Sequence, residues 1–147
     1  MTVQYHSKNG DSLPFMPYHY YGPWIPNIGG IYIFAIYKPY LHVWVPLYIG
    51  KAKSFKDRFV NHHKWQAAFD KGVRQVLAVR VDDERLRSIL EAEMIREFDP
   101  VLNEKTPLTT FLSSRSLTTP TRGLLSGDGK RTNHVGLSSW LTPTNPL

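Results

Sequence analysis

The sequence contains no cysteine. A chain without thiols cannot form disulfides or thiolate metal sites, so zinc fingers, iron–sulfur clusters and disulfide-stapled scaffolds are excluded. It also lacks any apolar run near the roughly 18 residues of a membrane span, and its first residues, MTVQYHSKNG, contain no apolar segment typical of a signal peptide. We therefore expect a cytoplasmic protein without a membrane partner.

Acidic residues are in the minority, because Asp and Glu number 12 against 18 Lys and Arg, which gives a net charge of +6. The basic residues cluster directly after residue 50, where a single acid, Asp57, accompanies Lys51, Lys53, Lys56, Arg58 and Lys64. Such a cluster favours an anionic partner, although a solvated helix face is the alternative interpretation. The 147 residues suffice for one hydrophobic core.

Two aromatic and β-branched runs occupy residues 29–50, GGIYIFAIYKPYLHVWVPLYIG. They predict an antiparallel hairpin with strands at about residues 30–37 and 43–49 and a turn near Lys38 and Pro39. Pro46 cannot donate a ladder hydrogen bond, which favours an edge position for the second strand. One run begins with Gly30-Ile31-Tyr32, and the other ends with Tyr48-Ile49-Gly50.

Two helices and one more strand are expected after the hairpin. Ser54 and Gly72 bound the first predicted helix, whose buried face carries Arg58 and His62 one turn apart. Residues 73–81 predict a third strand, and Asp82 or Asp83 begins a second helix that ends near residue 97, ahead of Pro100.

Two carboxylates, Glu91 and Glu93, interrupt the apolar stripe of this second helix. A carboxylate is rarely buried without a partner, so at least one of them is expected to have a specific role. Helical periodicity does not decide which one.

The order of these features resembles the GIY-YIG nuclease superfamily. The superfamily includes the incision domain of a bacterial excision-repair nuclease, group I intron homing endonucleases, some restriction enzymes and small phage endonucleases. The resemblance covers about residues 29–103 and implies an α+β fold, a small three-stranded antiparallel sheet flanked by helices. Residues 1–28 are then an irregular arm rich in Pro and Tyr, and residues 104–147 a flexible tail rich in Ser, Thr, Pro and Leu.

The same resemblance assigns the site residues. By position in the motif, the catalytic residues are Tyr32, Tyr48, Arg58, His62 and Glu91. Glu91 is the metal ligand, because it precedes Asn103 by twelve residues and Pro100 by nine, as the glutamate of the family does. Substrate binding is expected from Lys51, Lys53, Lys56 and Asn103, although for Asn103 we favour pinning the chain after the last helix over contact with substrate.

The resemblance implies a metal-dependent endonuclease that hydrolyses phosphodiester bonds of DNA. One ion, Mg²⁺ or Mn²⁺, is expected at Glu91, since the sequence near the motif contains no cluster of acidic residues that could bridge two ions. Tyr32, Tyr48 and His62 remain alternatives for the group that activates water, and both tyrosine hydroxyls are expected to face the cleft that contains Glu91. The alternatives are a catalytically silent nucleic-acid-binding module and a structural protein, and the oligomeric state stays open.

Overall fold

The fold is given by a computed structural model, which describes residues 1–105 and 141–144. Within this part of the chain, the strands are β1 (Thr2–His6), β2 (Ser12–His19), β3 (Gly30–Lys38), β4 (Val43–Ala52), β5 (Gln75–Arg80) and β6 (Pro143–Thr144). The helices are α1 (Phe55–Val60), α2 (Trp65–Asp70) and α3 (Glu84–Phe98). The predicted α+β class is confirmed.

The sheet is larger than the three strands expected from the sequence. In the described residues, six antiparallel strands follow the order β4-β3-β5-β2-β1-β6. The prediction of an irregular N-terminal arm is wrong, because β1 and β2 form a hairpin that joins the sheet by pairing Met16 of β2 with Ala78 of β5. These two strands account for most of the difference in strand number.

The prolines of β2 explain why the sequence pattern concealed this strand. Proline lacks the amide hydrogen that a centrally paired strand requires, so it argues against a strand. In β2, however, residues 12–15 pair only with β1 and residues 16–19 pair only with β5. Pro14 and Pro17 therefore each stand in a stretch that has a single strand neighbour, as on an edge strand.

The predicted hairpin is confirmed as β3 and β4, joined by a turn at residues 39–42. Tyr32 lies directly opposite Gly50, and Phe34 lies opposite Tyr48. The register shifts after Phe34, where Ala35 pairs with Pro46 instead. Pro46 thus sits at a bulge in the strand at the end of the sheet order, which agrees with its predicted edge position.

The single helix expected between Ser54 and Gly72 is wrong, because two short helices, α1 and α2, occupy this segment. Ser54 caps α1 as predicted, since its side chain accepts the amide hydrogen of Asp57. Asn61 ends α1 in a nonhelical conformation. Asn and His are weak helix formers, and the ring of His62 accepts the Lys64 amide, a local bond that competes with a continuous helix.

Two buried clusters cover opposite faces of the sheet. Leu90 and Met94 of α3 belong to one cluster, together with Ile31, Ile33 and Ile49 of the hairpin. Alternate residues of the same strands belong to the other cluster, which contains the aromatic side chains of α1 and α2, namely Phe55, Phe59 and Trp65, and Tyr20, Tyr32, Phe34 and Tyr48. The second helix predicted from the sequence is confirmed as α3, with Asp83 as its N-cap.

Residues 141–144 connect the two ends of the sheet. Leu141 exchanges backbone hydrogen bonds with Trp44 of β4, and Pro143 pairs with Val3 of β1. This part of the predicted tail is therefore ordered strand structure, whereas residues 106–140 and 145–147 lie outside the described residues. Among the described helices, none has the length and apolar character needed to cross a membrane.

Candidate active site

The missing side chain of Gly50 makes room for the ring of Tyr32. A Cβ atom at Gly50 would stand 2.5 Å from both Cζ and the hydroxyl oxygen of Tyr32. Gly30 has a related role, since a Cβ there would collide with the carbonyl group of Val79 in β5. The two glycines of the motif thus allow close approach between parts of the protein itself.

The hydroxyl of Tyr32 contacts two other predicted site residues, Arg58 and His62. Arg58 donates to it from Nε over 2.9 Å, and Nε2 of His62 lies 2.6 Å away. The Lys64 amide donates to the other ring nitrogen of His62, Nδ1, over 3.0 Å. Nδ1 therefore carries no proton, so the neutral imidazole is protonated on Nε2 and donates to Tyr32.

Burial keeps both partners of this bond neutral. Desolvation, reinforced by the charge of Arg58, lowers the pKa of His62 to about 3. Desolvation also raises the pKa of the Tyr32 hydroxyl, and the hydrogen bond from Arg58 offsets only part of this rise. Near neutral pH, the imidazole and the Tyr32 phenol are thus both uncharged.

Tyr48 lies on the same face of the sheet, beside this trio. Its ring centroid is 6.1 Å from that of Tyr32 and 5.2 Å from that of His62. Its hydroxyl is near enough to influence the pKa values of Tyr32 and Arg58. The structure therefore brings four of the five predicted catalytic residues together on α1, the loop after it and the hairpin.

Glu91, the fifth residue, reaches the site from α3 on the other face of the sheet. Its Oε2 lies 3.8 Å from Nζ of Lys51, which also donates to Ser88. Burial raises the pKa of the Glu91 carboxyl, while Lys51 and Arg58 oppose this rise. Arg58 thus acts electrostatically on Glu91 and also contacts Tyr32. This one side chain therefore interacts with residues from both faces of the sheet. That both tyrosine hydroxyls face the cleft of Glu91 stays a prediction.

A polar groove of about 830 Å³ opens beside these residues. Four cations line it, namely Lys51, Lys53, Arg58 and Arg87, with three acids, namely Asp57, Asp82 and Glu84. Asp82 is bound to Arg80, which donates to it over 2.8 Å. The groove therefore has a small surplus of positive charge, and predicted residue Lys53 belongs to it. Lys56 instead lines a separate pocket, beside Trp24.

Sequence reasoning missed Arg87. This side chain is only 6% exposed, and its guanidinium donates to the carbonyl oxygens of Val81 and Asp82. Among the described residues, no carboxylate forms an ion pair with it. Its position one turn before Glu91 on α3 was the available signal, since residues four apart share a helix face.

Glu93, the other carboxylate in the apolar stripe of α3, is hydrogen-bonded to residues of the N-terminal hairpin. Its Oε1 accepts from the hydroxyl of Tyr5 over 2.9 Å and from the amide of Lys8 over 2.7 Å. Glu97 lies at the same distance from the Tyr5 hydroxyl. Glu93 therefore fixes the β1–β2 hairpin to α3. Of the two carboxylates in the stripe, Glu91 is the one that lies next to a groove residue, Lys51.

Both side-chain amide atoms of Asn103 contact the backbone of Ile49. Its Oδ1 accepts the amide hydrogen over 2.9 Å, and its Nδ2 donates to the carbonyl oxygen over 2.8 Å. Asn103 thus fixes β4 next to Tyr48, and its expected contact with substrate stays a prediction. In the described residues, no group of three His, Asp or Glu side chains is arranged to hold a metal.

The chain is similar to part of one curated protein. Over 83 residues it is 35% identical to UvrABC system protein C of Fervidobacterium nodosum. The matched stretch amounts to 54% of this chain and 14% of that protein. The chain thus spans only a small part of the length of this relative. No family model matches the chain. No solved structure matches it either.

Proposed function

We propose that the protein is a metal-dependent DNA endonuclease of the GIY-YIG type. The observation that carries the proposal is the convergence of Arg58 and His62 on the Tyr32 hydroxyl, with Arg58 also acting on Glu91. The similarity to a UvrABC system protein C supports a nuclease-related function at the level of the family. The motif residues Tyr32, Tyr48, Arg58, His62 and Glu91 are all present in the sequence, which argues against a silent binding module.

Arg58 has the central role in the proposed chemistry. A guanidinium offers a fork of donors to the nonbridging oxygens of a phosphate and to the charge that develops in the transition state. Nε of Arg58 is bound to Tyr32, and the guanidinium also interacts with the Tyr48 hydroxyl, so a bound phosphate would share the donor fork with these two tyrosines. Tyr32 and His62 hold the guanidinium side chain in position by fixing the hydroxyl to which it is bound.

For water activation, we favour Tyr48 over the two other candidates. His62 has its Nδ1 lone pair committed to Lys64, and its Nε2 hydrogen is directed at Tyr32. Tyr32 is fully buried, and its raised pKa makes the phenolate costly to form. Tyr48, whose hydroxyl lies near Arg58, is the remaining candidate.

The donor set fits a single hard cation. Glu91 is partly exposed and provides carboxylate oxygens, and Mg²⁺ commonly takes one or two carboxylates and completes its shell with water and phosphate oxygens. A bound ion would supply charge neutralisation at the scissile phosphate and at the leaving oxygen. Lys51, next to Glu91, restrains the carboxylate and adds positive charge on the same side.

The polar groove is the proposed path of the DNA backbone. Lys51, Lys53 and Arg58 present cations to it, and Arg87 adds a guanidinium whose charge no described carboxylate neutralises. A buried cation without a paired anion is costly. A phosphate bound in the groove would therefore lower this cost. This favours binding of the DNA backbone there, as the nuclease hypothesis requires.

Nicking of supercoiled plasmid in Mg²⁺ or Mn²⁺ tests the proposal. The wild-type protein should convert the plasmid to open circles, and Glu91→Gln and Arg58→Met should each reduce the rate about a hundredfold or more. Glu97→Gln is the matched control, because Glu97 lies on the same helix and contacts Tyr5. A wild-type protein that binds DNA but leaves the plasmid intact with both metals would instead indicate the silent binding module.

A further inference from the structure

A second, apolar pocket lies beside the polar groove and is not explained by the chemistry above. It has a volume of about 520 Å³, within the range of roughly 300–1,000 Å³ for sites that hold small ligands. We call it the aromatic pocket, and its main lining residues are Tyr18, Trp24, Ile25, Ile28, Phe55 and Ala78.

The aromatic pocket is on the same face of the sheet as the two motif tyrosines. Ala78 of β5, which lines it, is the direct cross-strand neighbour of Tyr32. Phe55, at the start of α1, lines the pocket and also packs edge-on against the ring of Tyr32 with centroids 6.5 Å apart. One aromatic ring therefore separates the pocket from the residue at the centre of the candidate site.

The two cavities share a wall of hydrogen-bonded backbone. Phe55 donates its amide hydrogen to Ile28, and Val81 donates to Gly29, over 2.9 and 3.0 Å. Ile28 lines the aromatic pocket, whereas the next residue, Gly29, lines the polar groove. Arg80 likewise belongs to the pocket, and its bonded partner Asp82 belongs to the groove. The two cavities are therefore adjacent, separated by the backbone around residues 28–29 and 80–82.

Aromatic side chains at the pocket are both fixed and accessible. The indole of Trp24 donates to the carbonyl oxygen of Tyr20 over 2.7 Å and packs on Phe55 with centroids 5.6 Å apart. Tyr18, whose ring centroid is 5.3 Å from that of Trp24, is 43% exposed, and Ile25 is 61% exposed. A preorganised aromatic surface of this kind suits a flat, apolar ligand with polar edges.

We propose that the aromatic pocket receives an unpaired nucleobase of DNA whose backbone lies in the polar groove. This inference rests on the proposed nuclease function and adds a preference for DNA with a base outside the helical stack. A nucleotide joins a phosphate to a base through one sugar, which matches a polar cavity and an aromatic cavity in contact. A base that is already unpaired avoids most of the cost of extrusion from a duplex.

Binding of two matched duplexes tests the inference, with the full chain in EDTA to prevent metal-dependent cleavage. One duplex is fully paired, and the other carries a single unpaired 2-aminopurine. We expect the second to bind roughly five- to tenfold more tightly, as stacking of one base predicts. Emission of the 2-aminopurine should fall on binding as the base stacks on the aromatic rings.

Tyr18→Ala and Ile25→Ala should remove most of this preference and restore the emission, while affinity for the paired duplex stays within about twofold. These residues are chosen over Trp24, whose ring packs into the core against Phe59. Tyr40→Ala is the control, because Tyr40 is 79% exposed on the β3–β4 turn, away from the pocket. It should leave the preference intact.

The outcomes separate this inference from the proposed function. If the wild-type protein binds and nicks paired DNA without preferring the unpaired base, the inference fails and the nuclease function stands. Retention of the preference by both pocket variants also overturns it, since the base must then bind elsewhere. A protein that binds neither duplex refutes both, because the polar groove would then not hold DNA.

Discussion

His62 donates a hydrogen bond from Nε2 to the hydroxyl of Tyr32 over 2.6 Å, because its Nδ1 is occupied by the Lys64 amide. The break between α1 and α2 creates this arrangement, since an uninterrupted helix would use the Lys64 amide in its own ladder. The irregular loop therefore sets the tautomer of the imidazole. A neutral His62 then fixes the Tyr32 hydroxyl, to which Arg58 is bound.

Acid should destabilise the protein through His62. The folded-state pKa of about 3 lies below the ordinary value near 6.5, so below pH 6.5 the unfolded chain binds a proton that the folded protein excludes. Stability from this group is complete above pH 6.5 and is lost as pH falls toward 3. Between pH 7 and pH 5, the free energy of unfolding should fall by about 2 kcal/mol more in the wild type than in His62→Gln.

Urea unfolding at the two pH values measures this difference directly. The comparison with His62→Gln cancels the other titrating groups, provided that the denaturant slopes agree. Equal acid sensitivity of the two proteins would contradict a buried, neutral imidazole.

Gly50→Ala should destabilise the protein by about 1–3 kcal/mol, because the new methyl group collides with the ring of Tyr32. A double-mutant cycle with Tyr32→Ala isolates the clash. The two changes should be strongly nonadditive, since removal of the ring makes room for the methyl group. Additive losses would mean that Gly50 is required for its backbone rather than for this contact.

Arg87→Gln should weaken binding of paired DNA and lower the slope of log affinity against log salt by about 1, the signature of one lost phosphate contact. Arg85→Gln, an exposed change on the same helix, is the control and should move the slope less. Melting temperatures of both variants identify any loss caused by unfolding, since Arg87 also binds two carbonyl groups. An unchanged salt slope in folded Arg87→Gln would remove it from the DNA-binding surface.

Tyr5→Phe should cost about 1–3 kcal/mol of stability, because it deprives Glu93 of a buried hydrogen-bond donor. The rate of plasmid nicking should not change at temperatures where the variant is folded. Tyr37→Phe removes a hydroxyl whose hydrogen-bond contact within the described residues is the exposed one with His42, so it should cost much less. A selective loss of nicking in Tyr5→Phe would assign the hairpin attachment a part in catalysis.

Asn103→Asp tests whether this residue pins β4 or contacts substrate. The carboxylate can still accept from the Ile49 amide but repels its carbonyl oxygen, so we expect lower stability at pH 7. KM for DNA should change little if pinning is the main role. A raised KM with unchanged stability would instead support the predicted substrate contact.

The hairpin, β5 and α3 were predictable because each has local signals that agree with its surroundings. Alternating or continuous apolar runs identified the strands, and the cap at Asp83 and the break before Pro100 bounded α3. The β1–β2 hairpin was not predictable, since Pro14 and Pro17 argue against a strand unless the pairing partners are known. The α1–α2 break was missed because the apolar spacing continues across it, whereas the ring of His62 replaces a helical hydrogen bond.

The candidate site was predictable in its residue types but not in its contacts. Motif spacing separated Glu91 from Glu93, and the structure gives Glu93 the partners Tyr5 and Lys8, which lie far away in the sequence. Arg87 is buried, and no acid in the described part of the chain pairs with it, a property that depends on tertiary packing. Sequence position alone could not distinguish it from the solvated arginines of the same helix.

Residues 141–144 pair with β4, at one end of the sheet order, and with β1, the strand next to β6 at the other end. On the ribosome, residues 1–103 emerge well before this segment, so the edges of β4 and β1 first exist without their final partner. Exposed strand edges invite pairing with other chains. The nascent protein is thus most prone to aggregate in the interval before residues 141–144 arrive, and slow translation of residues 104–140 would prolong that interval.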